Sequence, residues 1–273
     1  MPPRVAPGDG SFYVWAMLVA TYNVLANAYV EPEWYPEVPK PLLEPERRRA
    51  ALVARLEAVN ADVWCFQEVE QETADAFTSA LTARGYQGRW QRKGSGRPDG
   101  CATFWRGATL LEASTLYYDD GPGGAKSSGH LALLTRLDFG GRELGVVNTH
   151  LKWDEPTKPP MERWCVRQAR ALAHWLESAP RELVVCGDLN VTAEDVVVEE
   201  LFARGLRDVF HRALAPHTCR ARGKTSKIDH LLVRGRLAAT PGPVAAIEGV
   251  GALPNEEEPS DHVPLVAKLE WTG

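Results

Sequence analysis

The 273-residue sequence lacks several features that would place it in a specialised class of protein. Its five cysteines are scattered, none forms a CxxC pair, and four adjoin apolar or aromatic neighbours, which predicts buried free thiols in a reducing, cytoplasmic compartment. No run approaches the ~20 apolar residues of a membrane span, so no membrane partner is expected. The net charge of -5 argues against a broad basic coat but leaves room for a local basic groove at a phosphate site.

The motifs of several common catalytic centres are also absent, namely HExxH, the P-loop and GxSxG. No repeat, low-complexity segment or linker divides the chain, so we expect one domain over residues 1–273, with 1–11 flexible and no obligate protein partner. The apolar run 12–20 before Ala26-Asn27-Ala28 has the pattern of a signal peptide. A single preceding basic residue, Arg4, and the continuation of the run into Asn23 favour the cytoplasmic interpretation.

Short β-rich runs and helix-like stretches fill the chain without strict alternation. The strands are predicted at 13–22, 61–66, 102–105, 131–137, 144–148, 183–186, 228–233 and 263–269, and the helices at 44–59, 71–84 and 163–176. Most of the strands are near-continuous apolar runs, which indicates that both of their faces are covered. This organisation predicts a layered α+β sandwich.

Polar residues suited to phosphate chemistry stand at six strand boundaries. They are Asn23, Gln67-Glu68, Asn148-Thr149-His150, Asp188-Leu189-Asn190, Asp229 and Asp261-His262. Each has an ordinary alternative, such as a turn, a helix cap or a satisfied histidine. Because loops at strand ends carry function, the six together predict one active site.

The residue types at these boundaries predict a metal-assisted hydrolase of phosphate esters. Mg²⁺ prefers a few carboxylate oxygens and keeps several waters, and Glu68 with Asn23 and Asp261 fits such sparse ligation. Mn²⁺ is the alternative ion. Asp188 and Asn190 could orient a water with one side chain and donate to the phosphate with the other.

Two further residues complete the predicted chemistry. His262 supplies an imidazole, and Asp229 could hold that ring in one tautomer. An Asp that opens a strand is also an ordinary cap.

Six motifs follow one another in a characteristic order: TYNVLA, DVWCFQEVE, VVNTHLKW, VVCGDLNVT, KIDHLLV and PSDHVPLVAKL. The ordered set resembles the endonuclease/exonuclease/phosphatase superfamily, and the segment 85–106 looks like its deadenylase group, which comprises the Ccr4, nocturnin and Angel-type enzymes. The resemblance implies a DNase I-like, four-layered αββα sandwich, with two mixed β-sheets flanked by helices. It also implies one or two Mg²⁺ ions at the top of the sheets and, as substrate, an RNA 3′ end or a nucleotide phosphate.

The resemblance assigns roles to the matching positions. Glu68 is similar to the principal metal ligand and Asn23 to its companion. His150 and Asn148 are similar to phosphate-site residues, and Asp188 and Asn190 to the water-positioning pair or to ligands of a second metal. His262 is similar to the phosphate-contacting histidine, supported by Asp261 and Asp229.

Basic and aromatic residues near these motifs are candidates for substrate binding. They are Lys93, Arg97, Arg163, Arg167, Trp34 and Trp153. The lysine and the arginines suit phosphate, and the tryptophans suit a stacked base. The alternatives are a solvated loop for the first two, and surface ion pairs with Glu162 or Asp154 for the two arginines of the third helix.

The leading functional prediction is a Mg²⁺-dependent phosphoesterase acting at RNA 3′ ends, either a deadenylase-like 3′ exonuclease or a 2′,3′-cyclic phosphatase. The second is a nocturnin-like phosphatase of a small nucleotide or dinucleotide, with which the net negative charge is compatible. A DNA-repair-type endonuclease ranks third. A catalytically inactive binding module is disfavoured because every expected polar position is occupied.

Overall fold

The computed structural model describes residues 16–121, 126–210, 216–245, 247 and 251–272. Within these ranges the helices are α1 (Pro45–Val59), α2 (Gln71–Thr82), α3 (Trp164–Trp175) and α4 (Val196–Phe202). The strands are β1 (Ala16–Asn23), β2 (Val63–Glu70), β3 (Gln87–Arg92), β4 (Asp99–Trp105), β5 (Thr109–Tyr117), β6 (Leu131–Asp138), β7 (Glu143–His150), β8 (Leu183–Asp188), β9 (Arg207–Asp208), β10 (Cys219–Ala221), β11 (Lys224–Ser226), β12 (Asp229–Arg234), β13 (Leu237–Pro241) and β14 (Leu265–Trp271). The segment 1–11, predicted to be flexible, lies outside the described residues.

Two six-stranded mixed sheets form the centre of the molecule. Their strand orders are β13-β14-β1-β2-β4-β3 and β5-β6-β7-β8-β12-β9. In the first sheet β1 and β2 run parallel, and in the second β7 and β8 do. The remaining pairings within the two sheets are antiparallel, and β10 and β11 form a separate hairpin.

Apolar side chains hold four layers together. Between the two sheets, Val19 and Val63 of the first pack with Val146 and Val184 of the second. Leucines of α1 and Phe77 of α2 cover the outer face of the first sheet, while α3 and α4 cover the outer face of the second. Each such buried side chain contributes roughly 1.5–3 kcal/mol. The predicted four-layered αββα sandwich is therefore confirmed.

The sequence located the buried strands better than the exposed ones. Each of the eight predicted runs coincides with a strand, and the apolar run 12–20 continues as β1 from residue 16. The edge strands β3 and β5 escaped prediction because most of their side chains are exposed or half-exposed and leave no apolar run. The seven-residue helix α4 was also missed, since two turns show little periodicity.

Two further predictions concerned buried free thiols and the lack of a membrane span. All five cysteines are buried free thiols, as predicted. Burial raises the pKa of Cys101 to about 12, so its thiol is unreactive at neutral pH. Among the described residues, no helix is both long and apolar enough to cross a bilayer.

Candidate active site

The polar strand ends predicted to converge meet at one edge of the sandwich. Parallel pairing places Asn23 of β1 beside Gln67 of β2, and His150 of β7 beside Asp188 of β8. The antiparallel strand β12 starts at Asp229, directly opposite Asp188. The sheet register therefore brings residues from five distant segments to a common centre.

Glu68 enters this centre through an irregularity in β2. The strand register shifts between Phe66 and Val69, and Glu68 has a φ of 58° in the left-handed region. Its Oε1 accepts a hydrogen bond from Asn23 Nδ2 at 3.0 Å, and its Oε2 accepts one from the Ala26 amide at 2.9 Å. Burial raises the pKa of Glu68. Left-handed backbone angles and the desolvation of a carboxylate both cost free energy, and residues with such features are typical of functional sites.

Asp188 lies at the middle of the cluster. Its Oδ2 accepts from Asn23 Nδ2 at 3.0 Å, which links the two sheets, and its Oδ1 accepts from the Asn190 amide at 2.8 Å. Burial, with the Asp229 carboxylate nearby, raises the pKa of Asp188 to about 7. The preceding Gly187 is required here, because a Cβ atom would lie 1.8 Å from the Thr149 carbonyl oxygen.

His262 approaches Asp188 from one side. Its Nδ1 lies 2.7 Å from Asp229 Oδ2, and its Nε2 lies 3.8 Å from Asp188 Oδ2 and 4.0 Å from Asp261 Oδ1. Burial alone would lower the pKa of His262, but the Asp229 carboxylate outweighs it and holds that pKa well above the usual value. Its Nδ1 thus faces the Asp229 carboxylate, and its Nε2 faces Asp188 at the centre of the site.

His150 approaches Asp188 from the other side, with its Nε2 at 3.7 Å from Asp188 Oδ2. Its Nδ1 lies 3.1 Å from Lys93 Nζ, and its Nε2 lies 3.1 Å from Asn190 Nδ2. The Lys93 ammonium has no acceptor, so it donates to His150 Nδ1. Burial and the Lys93 charge both lower the pKa of His150 well below its usual value.

Lys93, predicted to bind substrate, is a buried residue of the site. Its ammonium donates to Asp99 Oδ2 at 2.6 Å, and both side chains are almost fully buried. Tyr29 donates to the other oxygen of Asp99 at 2.7 Å, and Arg97 reaches the Tyr29 hydroxyl at 3.4 Å. Sequence reasoning missed Asp99 and Tyr29, because Asp99 stands before Gly100 in a stretch that reads as an ordinary turn.

Asn148 is placed in the interior between the sheets, where it is fully buried. Its Nδ2 donates to the carbonyl oxygens of Phe66 and Ala102, and its Oδ1 accepts from Gln67 Nε2. These bonds join β7 of the second sheet to β2 and β4 of the first. The predicted contact of Asn148 with a phosphate stays a prediction.

The two arginines near α3 have intramolecular partners. Arg163 pairs with Asp195 at 2.8 Å, a different acid from the two that the sequence suggested, and its side chain is 5% exposed. Arg167 donates to the carbonyl oxygens of Asp120 and Met161 and lies over the Trp164 ring. Neither guanidinium contacts the central cluster through these bonds, so their predicted binding of substrate stays a prediction.

The two candidate tryptophans lie at the rim. Trp153 is 61% exposed, three residues beyond His150. Trp34 is half-buried, and the guanidinium carbon of Arg222 lies 3.7 Å from the centre of its ring. Next to it, Tyr35 donates from its hydroxyl to Asp261 Oδ2 at 3.0 Å, which ties this loop to the central cluster.

The central cluster has the donors that a divalent cation requires. Among the described residues, ligand atoms lie within 4.8 Å of one another in three overlapping groups, Glu68-His150-Asp188, Asp188-Asp229-His262 and Cys219-Asp261-His262, the last of which contains the predicted ligand Asp261. In addition, Asp229 Oδ1 is buried without a hydrogen-bond partner. Carboxylates at such short distances repel each other, and a cation between them would reduce that repulsion. The residues fit a divalent metal site.

A two-sheet sandwich with acids, amides and imidazoles at its central strand ends defines a phosphoester-hydrolysing class of protein. The sequence profile of the endonuclease/exonuclease/phosphatase family matches residues 20–262. The chain belongs to this family, and the predicted resemblance is confirmed.

Individual relatives agree with this assignment. The Ccr4 3′-5′-exoribonuclease subunit of the CCR4-Not complex from Candida albicans is 25% identical over an alignment of 326 positions, gaps included, that covers 92% of this chain and 41% of Ccr4. The chain thus spans about two fifths of that relative's length. The structure of ANGEL2, a 2′,3′-cyclic phosphatase, in complex with adenosine-2′,3′-vanadate is similar at a TM-score of 0.82 and 18% identity, covering 94% of this chain and 96% of ANGEL2. The human nocturnin catalytic domain with bound sulfate is similar at a TM-score of 0.72 and 22% identity, with 94% of each chain covered.

Proposed function

We propose that this chain, folded as one domain, hydrolyses phosphate esters at RNA 3′ ends with the aid of a divalent cation, Mg²⁺ in the first instance and Mn²⁺ as the alternative. The observation that carries the proposal is the convergence of Glu68, Asp188 and His262 on a common centre, linked through the Asn23 amide. Acids hold a hard cation, and the imidazolium supplies positive charge for non-bridging oxygens.

The residues of the centre divide the chemistry between them. Glu68, Asp188 and Asp261, with the Asn23 amide, would hold the cation, which when bound neutralises charge on the phosphate and lowers the pKa of a water. Asp188 accepts hydrogen bonds at both oxygens and is suited to orient the attacking water. His262 and His150 face Asp188 from opposite sides and would contact the phosphate oxygens there.

The choice of an RNA 3′ end is supported by the relatives. Ccr4 is named a 3′-5′-exoribonuclease subunit, and ANGEL2 a 2′,3′-cyclic phosphatase bound to an adenosine 2′,3′-vanadate. Both names place the reaction at the 3′ side of a ribonucleotide. A cytoplasmic location accompanies the proposal, because five buried free thiols suit a reducing compartment.

A substrate panel tests this proposal. The substrates are oligo(A), RNA with a 2′,3′-cyclic phosphate end, NADPH and duplex DNA, each with Mg²⁺, with Mn²⁺ and with EDTA. We expect turnover of one of the RNA substrates, loss of turnover with EDTA, and a fall on the order of 10³-fold in Glu68→Gln.

The matched control is Glu72→Gln, which makes the same change on an exposed first-turn position of α2. It should leave turnover unchanged. Exclusive turnover of NADPH would replace the RNA assignment by that of a small-nucleotide phosphatase, and undiminished activity in EDTA would contradict the metal requirement.

A further inference from the structure

A cavity of about 490 Å³ lies beside the central cluster, and the proposed reaction makes no use of it. Its walls come from three segments, the loop 33–38 after β1, the β10–β11 hairpin and residues 252–253. This volume is within the range of sites that bind small organic molecules. The cavity is therefore large enough for one nucleotide.

The cavity and the proposed metal site share a wall. Tyr35 lines the cavity, and its hydroxyl donates to Asp261 Oδ2 at 3.0 Å. Arg220 also lines the cavity, and its backbone amide donates to the Asp261 carbonyl oxygen at 2.8 Å. Two residues that line the cavity therefore contact Asp261, which places the cavity next to the central cluster.

The lining combines an aromatic ring, guanidinium groups and an apolar floor. Trp34 is half-buried, and Arg222 lies over its ring at 3.7 Å in an exposed, left-handed backbone position with a φ of 50°. Val38 and Leu253 are buried and form the apolar part. Indole rings stack on bases of any identity, and arginines bind phosphate and stack on aromatic faces.

Charge restricts what this cavity can accept. Exposed Glu33 and Glu37 line it together with Arg220 and Arg222, so the four formal charges cancel. A free polyphosphate would gain little from such a balanced surface, whereas a base with a single phosphodiester can use the indole and one guanidinium. The chemistry favours a nucleotide within a strand.

We propose that this cavity is a second-nucleotide subsite, which holds the nucleotide adjacent to the scissile phosphate with its base on Trp34 and its phosphate at Arg222 and Arg220. The inference rests on the proposed function, which it deepens by making the substrate a strand of at least two nucleotides. Stacking on Trp34 would raise the affinity of the subsite for a strand over a ligand without a second base, by roughly 5- to 150-fold per base.

Binding is measured apart from turnover, in the full chain carrying Glu68→Gln. A short fluorescent oligo(A) is titrated against this protein and against the same protein with Trp34→Ala, Trp34→Phe or Arg222→Gln. We expect Trp34→Ala to weaken binding about 10-fold, Trp34→Phe to restore most of the loss, and Arg222→Gln to weaken binding less and reduce its salt dependence. The matched controls are Phe202→Ala on α4 and Arg89→Gln on β3, both exposed and outside the cavity.

A second measurement uses the otherwise unchanged chain. The Trp34→Ala variant should lower kcat/KM about 10-fold for the oligonucleotide and leave that for bis(p-nitrophenyl) phosphate, an ester without a nucleoside, within about twofold. Equal losses on both substrates, or oligonucleotide binding that is insensitive to Trp34, would overturn the subsite. If the unchanged chain turns over none of the RNA substrates of the panel, the proposed function fails, and the binding titration still decides the subsite.

Discussion

His150 and His262 are both buried imidazoles that face Asp188, yet their surroundings shift their pKa values in opposite directions. Lys93 lies against Nδ1 of His150 and, with burial, lowers the pKa of that ring. Asp229 occupies the equivalent position at Nδ1 of His262 and, against burial, raises the pKa of that ring. Two residues of the same type thus have pKa values shifted in opposite directions, because the partner at Nδ1 is a cation in one case and an anion in the other.

The largest expected effect comes from removing the charge that protonates His262. Asp229→Asn keeps the shape of the partner but loses the carboxylate, so the pKa of His262 should fall and the imidazolium should be lost at neutral pH. We expect kcat to drop by a factor on the order of 10²–10⁴. Steady-state kinetics on the substrate found by the panel measures this effect. A kcat within about threefold of the unchanged chain would show that the His262 charge is dispensable.

The next prediction concerns the opposite partner. Lys93→Met removes the ammonium that faces His150, so the pKa of His150 should rise, since one cause of its lowering is gone. Loss of an orienting partner should reduce kcat roughly 10–100-fold. NMR titration of the imidazole in metal-free protein gives the pKa, and Lys93→Arg serves as the charge-preserving control. An unchanged His150 titration in the Met variant would contradict the assigned cause.

The buried pair behind His150 makes a prediction about stability. Asp99→Asn leaves the Lys93 ammonium buried without its ion partner, which should lower the free energy of unfolding by about 3–5 kcal/mol. The double variant Lys93→Met/Asp99→Asn should recover part of that loss, because it buries no unpaired charge. Urea unfolding followed by fluorescence measures both. Additive losses in the double variant would mean that the two side chains are not coupled.

The smallest expected effect is a pH dependence that separates the two histidines in metal-free protein. Because the folded pKa of His262 lies above its usual 6.5, the folded state binds more protons, and stability should fall as pH rises above 6.5. His150 has a lowered folded pKa, so its contribution is lost as pH falls below 6.5. His262→Asn should flatten the alkaline fall and His150→Asn the acidic one, in thermal unfolding across pH. Identical profiles for the two variants would contradict the opposite pKa shifts assigned to His262 and His150.

Asp188 also contributes to the pH dependence of stability, at lower pH than His262 does. Its pKa is raised from 3.8 to about 7, so the folded state retains a proton that the unfolded chain has lost, and stability should fall as pH rises between these values. Asp188→Asn removes this contribution.

Much of the fold and the membership of the site could be predicted from sequence, because both rest on local patterns. Buried strands such as β7 and β8 are apolar runs, and the polar residues that end them face the same edge once the strands are parallel. The edge strand β3 has no such pattern, since all of its side chains are exposed or half-exposed. Prediction therefore failed where burial, the source of the pattern, was weak.

The sequence by itself determined which residue types stand at the strand ends, and hence that an acid, an amide and an imidazole would be available for phosphate chemistry. Tertiary structure alone decided their electrostatic states, since Lys93 contacts a histidine 57 positions away and Asp229 one 33 positions away. It also decided that Arg163 pairs with Asp195 and that Trp34 shares a cavity with Arg222. The physical reason is that burial and charge act through space over a few ångströms, so they depend on neighbours that only folding brings together.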